Sequence, residues 1–87
     1  MRKAGERMTY EMVTYDDVML VFAKRLRKAI NRSGLTVKEI ADRICVDRTT
    51  VYYYQQGNRL PGALNLRMLA DLLNVSTDWL LGREKKQ

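Results

Sequence analysis

The stretch TVKEIADRICVDRTTVYYYQQG, from Thr36 to Gly57, decides the fold of this chain. It begins with a capping box, in which Thr36 caps a helix and Glu39 reaches back to the cap residue. Asp47 is a second residue of the N-cap type, and it follows a tight turn that starts at Cys45. The stretch therefore predicts two short helices joined by a tight turn.

Two helices joined in this way form a helix-turn-helix arrangement, whose packing makes specific demands on the sequence. The fifth residue of the unit must be small because the helices meet closely there, and this residue is Ala41. A β-branched residue, Val51, is expected to anchor the second helix in the core. The turn often needs a positive φ, which is usually given to glycine, but this chain has Cys45 at that place.

Three consecutive tyrosines, 52–54, point in three directions if they lie on a helix, because each residue turns by about 100°. Val51 and Tyr54 are three residues apart and share the face that packs on the core. The predicted helix runs from Arg48 to about Gln55. Its other side carries Thr49, Tyr52, Tyr53 and Gln56, with Arg48 at the N-terminal flank. One tyrosine is thus structural, and two are left for contacts outside the domain.

The rest of the chain adds three helices around this unit. Apolar residues recur every four positions in 18–30, between a helix cap at Thr14 and a stop at Gly34, so a long amphipathic helix precedes the unit. Helices at about 63–73 and within 76–82 follow it. The prediction is an all-α protein with five helices.

The domain organisation follows from these signals. Residues 14–82 form one predicted domain, between a flexible N-terminal arm at 1–13 and a flexible tail at 83–87. The 87 residues are enough for one small domain. No apolar run is long enough to span a membrane and no segment has the features of a signal peptide, so we expect a cytoplasmic protein.

Composition excludes several classes of site. The chain has no histidine and one cysteine, Cys45, so it has neither an internal disulfide nor the ligands of a zinc site. The usual general base is absent, and so is a glycine-rich phosphate loop. We expect a protein that is not an enzyme and uses no cofactor or metal. The formal charge of +6 favours attraction to a polyanion, although it also suits a solvated surface.

From about Phe22 to Gly82 the chain resembles the Cro and lambda-repressor-like helix-turn-helix domains, the XRE family. The matching elements are LTVKEIADRI, CVDRTTV, the QGNRLP loop, LRMLADLLNVS and DWLLG. The resemblance implies a five-helix lambda-repressor-like fold and a transcriptional regulator that binds double-stranded DNA. It also implies a homodimer on a palindromic operator, acting as a repressor that occludes a promoter.

The resemblance also assigns roles to individual residues. The helix that starts at Arg48 would enter the major groove, and its base-reading face would consist of Arg48, Thr49, Tyr53 and Tyr52. Within this face, Tyr53 matches a base-reading place of the family, and Tyr52 would contact sugar and phosphate instead. Contacts with the DNA backbone would come from Thr36, Lys38, Arg43, Thr50, Asn58 and Arg59. The dimer surface would include Trp79 and Leu80, and the alternative is that Trp79 is buried within its own domain.

Three places depart from the family pattern. Cys45 stands where glycine is usual. Ile30 and Gln55 stand where many members pair an arginine on helix 1 with a glutamate on helix 3, and since both charges are missing together, no buried charge is left alone. Val37 replaces a glutamine that in the family often lies near a phosphate, and a valine side chain cannot donate a hydrogen bond there.

The residues also allow other interpretations. The chain could be an antitoxin or accessory protein whose main partner is another protein, and Tyr52 and Tyr53 could then belong to a dimer or partner patch. Arg48 could pair with Asp47 rather than with a base. The basic residues of the first helix could contact DNA or form a solvated face.

Overall fold

The computed structural model describes residues 14–85, and the predicted arm at 1–13 lies outside this range. Within 14–85 all regular secondary structure is helical, which confirms the predicted all-α fold. None of these helices is both long and apolar enough to cross a membrane. We number them in chain order as α1 (Tyr15–Ser33), α2 (Val37–Ile44), α3 (Arg48–Gln56), α4 (Ala63–Leu73) and α5 (Thr77–Leu80).

The long helix α1 is bounded by local signals and buries one face. The backbone N–H of Asp17 donates to Thr14 Oγ1 at 3.0 Å, and Gly34 ends the helix with a φ of 77°. The buried side chains form one stripe, which consists of Phe22, Ala23, Leu26, Ala29 and Ile30. This is the stripe that the four-residue period predicted, and α3, α4 and α5 all pack against α1.

The predicted capping box is present at the start of α2. The N–H of Glu39 donates to Thr36 Oγ1 at 3.1 Å, and the N–H of Thr36 donates to Glu39 Oε1 at 2.8 Å. The pKa of Glu39 lies below its ordinary value because the backbone of Thr36, and then its side chain, hydrogen-bond to the ionised carboxylate. The start of α2 is therefore fixed by side chains.

The turn between α2 and α3 is built on Cys45, which has a φ of 61° and a ψ of 47°. The N–H of Val46 donates to the carbonyl oxygen of Ala41 at 3.0 Å, and the N–H of Cys45 donates to that of Asp42 at 3.3 Å. Cysteine thus takes the left-handed conformation that the family usually gives to glycine. Ala41 is only 1% exposed, as the close approach of the two helices requires.

Asp47 differs from its predicted role as a side-chain cap. It is the N-cap residue of α3 and has an extended backbone, but its carboxylate makes no capping hydrogen bond. Its carbonyl oxygen accepts from the N–H groups of Thr50 and Val51 at 3.0 and 3.3 Å. The start of α3 is therefore held by backbone hydrogen bonds and by the burial of Val51.

The last helix, α5, is short and buried. Ser76 caps it by accepting a hydrogen bond from the N–H of Trp79 at 2.9 Å. The helix ends at Leu80, and a turn with a φ of 88° at Gly82 follows, close to the predicted end. Trp79 and Leu80 are 4% and 0% exposed. Both side chains are covered by their own domain, so the expected dimer surface cannot be formed by these two residues.

Two arginines of α1 cover the ring of Trp79. The Cζ atoms of Arg25 and Arg32 lie 5.1 and 5.5 Å from a ring centroid, within the range of cation–π attraction. Arg25 also donates hydrogen bonds to the backbone oxygens of Trp79, at 2.6 Å, and of Glu84. The predicted flexible tail, 83–87, is described as far as residue 85, and this first part is hydrogen-bonded to the domain.

The place of the family's charge pair between helices 1 and 3 is filled differently. Ile30 is 6% exposed and belongs to the core. Arg27, almost one turn earlier on α1, donates a hydrogen bond to the backbone oxygen of Gln55. The two helices are therefore joined through a backbone acceptor instead of a glutamate side chain.

Candidate nucleic-acid interface

The helix α3 has two faces with different surroundings. Val51 and Tyr54 are 0% and 3% exposed and hold one face in the core. Tyr54 packs edge-on against Phe22, with ring centroids 6.2 Å apart. Tyr52 and Tyr53 are 48% and 38% exposed on the other side. The three tyrosines therefore divide as predicted, with one in the core and two at the surface.

The exposed side of α3 forms a continuous stripe. Arg48 and Thr49 lie in the first turn, and Tyr52 and Tyr53 follow them at spacings of three and four residues, which are neighbours on a helix. We call these four residues the outer face of α3. Thr50, which was expected to contact the DNA backbone, is half-buried beside them. The fold thus brings together all four residues that the resemblance assigned to base contacts.

The loop after α3 turns back toward the outer face. Gly57 has a φ of 79°, and the N–H of Asn58 donates to the carbonyl oxygen of Tyr53 at 3.0 Å. The loop brings Arg59 over the ring of Tyr53, with its Cζ 4.9 Å from the centroid. Asn58 Nδ2 donates to Gln56 Oε1 at 3.1 Å. Two residues expected to contact the DNA backbone therefore lie beside the outer face.

The start of α2 carries two more of the expected backbone contacts. Thr36 is exposed, so its hydroxyl, which hydrogen-bonds to the carboxylate of Glu39, can donate its O–H to a phosphate instead. Lys38 Nζ lies 3.2 Å from Asp42 Oδ2, but both side chains are 67% exposed. An ion pair in water stabilises a helix little, so Lys38 can exchange its carboxylate for a phosphate.

Arg43 is exposed in the last turn of α2. It lines an open cleft with Leu72 and Leu73 of α4 and with Arg32 of α1. No residue of the outer face lines this cleft. Arg43 thus lies next to α4, and its contact with the DNA backbone stays a prediction.

Within the described range, neither Arg48 in the outer face nor Arg59 in the loop beside it pairs with an acidic side chain. Among residues 14–85, no carboxylate lies within ion-pair distance of Arg48 or Arg59. The pairing of Arg48 with Asp47, which the sequence allowed, is therefore not made in the structure. Arg48 stands at the N-terminus of α3, where free backbone N–H groups add a positive potential. This end of the outer face is suited to an anionic or electron-rich partner.

Sequence reasoning missed two contacts at this site. One is the position of Arg59 over Tyr53, and the other is the hydrogen bond from Arg27 to the backbone of Gln55. Helical spacing predicts neither contact, because the first joins α3 to the following loop and the second joins α3 to α1. A signal for the first was present, because a glycine at position 57 allows the chain to reverse after the helix.

Comparison with known proteins gives the same picture as the geometry. A family model described as "Helix-turn-helix" matches residues 25–80, which is more than half of the chain. The matched range contains α2, α3 and the loop that carries Arg59. A search of solved structures gives no significant match.

Several curated relatives are named as transcriptional regulators. The HTH-type transcriptional regulator ImmR of Bacillus subtilis is 37% identical over 62 residues, which are 71% of this chain and 49% of the relative. The HTH-type transcriptional regulator AnsR of the same organism is 35% identical over 63 residues, 72% of this chain and 54% of the relative. The cryptic phage CTXphi transcriptional repressor RstR of Vibrio cholerae is 42% identical over 57 residues, which are 66% of this chain and 48% of the relative.

These similarities concern part of each relative, since the chain spans about half the length of the curated relatives it matches. The family is not enzymatic, in agreement with the expectation from the sequence. The model match, the identities and the two helices joined at Cys45 point to one conclusion. The chain belongs to the XRE-type helix-turn-helix family.

Proposed function

We propose that this protein is a cytoplasmic regulator of transcription that binds double-stranded DNA through the outer face of α3. The observation that carries the proposal is the exposed stripe of Arg48, Thr49, Tyr52 and Tyr53 on a helix whose opposite face is buried. The major groove of DNA admits an α-helix, and a helix anchored on one side can be presented to it rigidly. Family membership and the regulator names of the relatives support this role.

The side chains of the outer face suit different base contacts. Arg48 can donate two hydrogen bonds to O6 and N7 of guanine, and Thr49 can contact a thymine methyl or a base edge. The Tyr53 ring offers apolar contact to thymine methyl groups. Tyr52 is assigned to sugar and phosphate. Specificity would therefore come from a mixture of hydrogen bonds and apolar contacts.

Contacts with phosphates would fix the orientation of α3. Candidates flank it on both sides: Thr36 and Lys38 at the start of α2, Thr50 on α3 itself, and Asn58 and Arg59 in the following loop. Such contacts contribute affinity and position but carry no direct sequence information. Arg43, which is exposed in the last turn of α2, is a further candidate.

We further propose a homodimer that represses a promoter by covering a palindromic operator. A single helix-turn-helix unit reads only a few base pairs, and dimers of such units bind half-sites about one helical turn apart. The name of RstR as a phage repressor supports repression in this family. The side chains of Trp79 and Leu80 are buried in the domain and are not offered as dimer contacts.

A selection of binders from a random duplex library at near-physiological salt tests the proposal. We expect an enriched palindrome with half-sites about one helical turn apart. Binding without enrichment, which fades steeply as salt rises, would reduce the protein to a nonspecific nucleic-acid binder. Absence of any binding to duplex DNA would favour the antitoxin or accessory protein, and a pull-down would then identify its protein partner.

Substitution of Arg48 tests the assignment of the outer face. Arg48→Ala should weaken binding to the selected site by about 1–3 kcal/mol and relax the preference at one base pair. The matched control is Arg67→Ala, which also removes one positive charge, from an exposed pair with Asp71 on α4. Equal losses in the two variants would show that Arg48 contributes only net charge.

A further inference from the structure

The contact between Arg59 and Tyr53 joins two residues that the resemblance placed in different roles. Tyr53 belongs to the outer face, and Arg59 belongs to the loop that was expected to hold the DNA backbone. The Cζ of Arg59 lies 4.9 Å from the centroid of the Tyr53 ring, inside the range of cation–π attraction. The loop is held in place by the hydrogen bond from the N–H of Asn58 to the carbonyl oxygen of Tyr53.

The contact leaves both groups able to meet a ligand. Among the described residues, Arg59 donates no hydrogen bond and has no ion pair, so its N–H groups are open to a phosphate. A guanidinium presents five N–H donors in one plane, so attraction to an aromatic ring does not prevent donation to an oxyanion. Tyr53 keeps 38% of its surface exposed while the arginine lies over its ring.

We propose that Arg59 is a positioning residue for base recognition: one guanidinium binds a phosphate and holds the Tyr53 ring against the base edges. This inference rests on the proposed binding of DNA through the outer face. Without the guanidinium, the tyrosine side chain must be ordered at the moment of binding, which lowers affinity for the preferred base. A residue assigned only to affinity therefore also contributes to sequence preference.

The expected size of the effect follows from the strength of an exposed cation–π contact. Such a contact corresponds to about a two- to five-fold change in an equilibrium constant. Loss of Arg59 should therefore reduce the preference for the correct base at the Tyr53 position by about two- to five-fold. The phosphate contact adds a loss of affinity for every sequence and a change of roughly one unit in the salt slope.

The contact itself is tested first in the free protein. In proton NMR spectra of the full chain, the side-chain methylene signals of Arg59 should be shifted upfield by the Tyr53 ring, and Tyr53→Leu should remove this shift. Tyr52→Leu is the matched control and should leave it unchanged. Identical Arg59 signals in the wild type and in Tyr53→Leu would overturn the inference without any reference to DNA.

Base preference is then measured by library selection. The proteins compared are the wild type, Arg59→Lys, Arg59→Ala, Tyr53→Ala and the double variant that combines Tyr53→Ala with Arg59→Ala. We expect Arg59→Lys to keep most of the salt dependence but lose preference, because lysine lacks the planar guanidinium. In the Tyr53→Ala background, Arg59→Ala should lower affinity without changing the preference further. Arg67→Ala, which removes the same charge elsewhere, should leave the preference intact.

The outcomes separate this inference from the proposed function. If Arg59→Ala weakens all sites equally and the preference is unchanged, Arg59 only binds phosphate and the inference is overturned, while the enriched wild-type site still supports the proposed function. If the wild type enriches no sequence, the proposed function fails, and the role of Arg59 in base recognition fails with it. The NMR result would still report whether the contact forms.

Discussion

The turns after α2 and α4 have similar sequences and the same backbone geometry, but their side chains fit that geometry unequally. The segments are ADRICVD at 41–47 and ADLLNVS at 70–76. In each, the N–H of the sixth residue donates to the carbonyl oxygen of the first at 3.0 Å. The fifth residues, Cys45 and Asn74, have φ values of 61° and 59°.

The difference lies at the fifth and seventh residues. Asparagine enters the left-handed region more readily than most residues, whereas cysteine carries a penalty there. Ser76 caps α5 with its side chain, but Asp47 makes no such hydrogen bond to α3. The turn that supports buried α5 is thus better optimised than the turn in front of the outer face. Suboptimal local choices tend to collect beside functional sites, which fits the proposed role of α3.

The largest expected effect tests whether the first residues of the two turns are equivalent. Ala41→Leu and Ala70→Leu should each destabilise the domain by about 1–3 kcal/mol, because both side chains are at most 3% exposed and a larger one must displace a helix. Urea unfolding measures the change. Leu64→Ala, at a position that is 71% exposed, is the control and should change stability by at most about 0.5 kcal/mol. A strong effect at only one alanine would break the comparison.

The next effect concerns the caps. Ser76→Ala should lower stability by about 1 kcal/mol, because it removes the acceptor for the N–H of Trp79. Asp47→Ala should change stability by less than about 0.5 kcal/mol, because its carboxylate caps nothing. Thermal unfolding of both variants makes the measurement. Equal losses would mean that Asp47 stabilises α3 in a way that the hydrogen bonds do not show.

Exchanging the fifth residues sharpens the comparison further. Cys45→Asn should stabilise the domain by a few tenths of a kcal/mol, up to about 1 kcal/mol, and Asn74→Cys should destabilise it by a similar amount. Cys45 is exposed, so little packing is lost in the exchange. Urea unfolding measures both changes as shifts of the midpoint, provided that the slope of the unfolding free energy against urea concentration is the same in all variants. A loss of stability in Cys45→Asn would show that the thiol makes a contribution beyond its backbone conformation.

The smallest effect concerns pH. At the start of α2 the carboxylate of Glu39 takes part in the cap, whereas no side chain makes a capping hydrogen bond at the start of α3. The pKa of Glu39 is lowered on folding, so its contribution to stability is present above the ordinary glutamate pKa of about 4.3 and is lost as pH falls through the lower, folded pKa. Glu39→Gln should remove this part of the acid dependence. The free energy of unfolding of the wild type and of Glu39→Gln, measured between pH 6 and pH 3 in steps of about half a pH unit, checks this expectation. An unchanged acid profile would contradict the capping role of the carboxylate.

Most of the fold could be predicted from the sequence, because its signals are local. The capping box at Thr36, the glycine at position 34 and the apolar stripe of α1 each act within a few residues and identify the elements. The outer face of α3 followed from helical spacing and the resemblance. The burial of Trp79, the position of Arg43 next to α4 and the contact of Arg59 with Tyr53 depend on how separate elements meet. Such contacts are set by tertiary packing, which no local pattern contains.

The hydrogen bond from Arg27 to the backbone oxygen of Gln55 has a consequence for how this domain can change over generations. A link between two charged side chains restricts both positions, since a mutation in one leaves the other uncompensated. A carbonyl oxygen is supplied by every amino acid. The residue at position 55 can therefore be replaced during evolution, and the end of α3 can adapt to new DNA targets. The hydrogen bond from Arg27 to the backbone at position 55 is kept throughout.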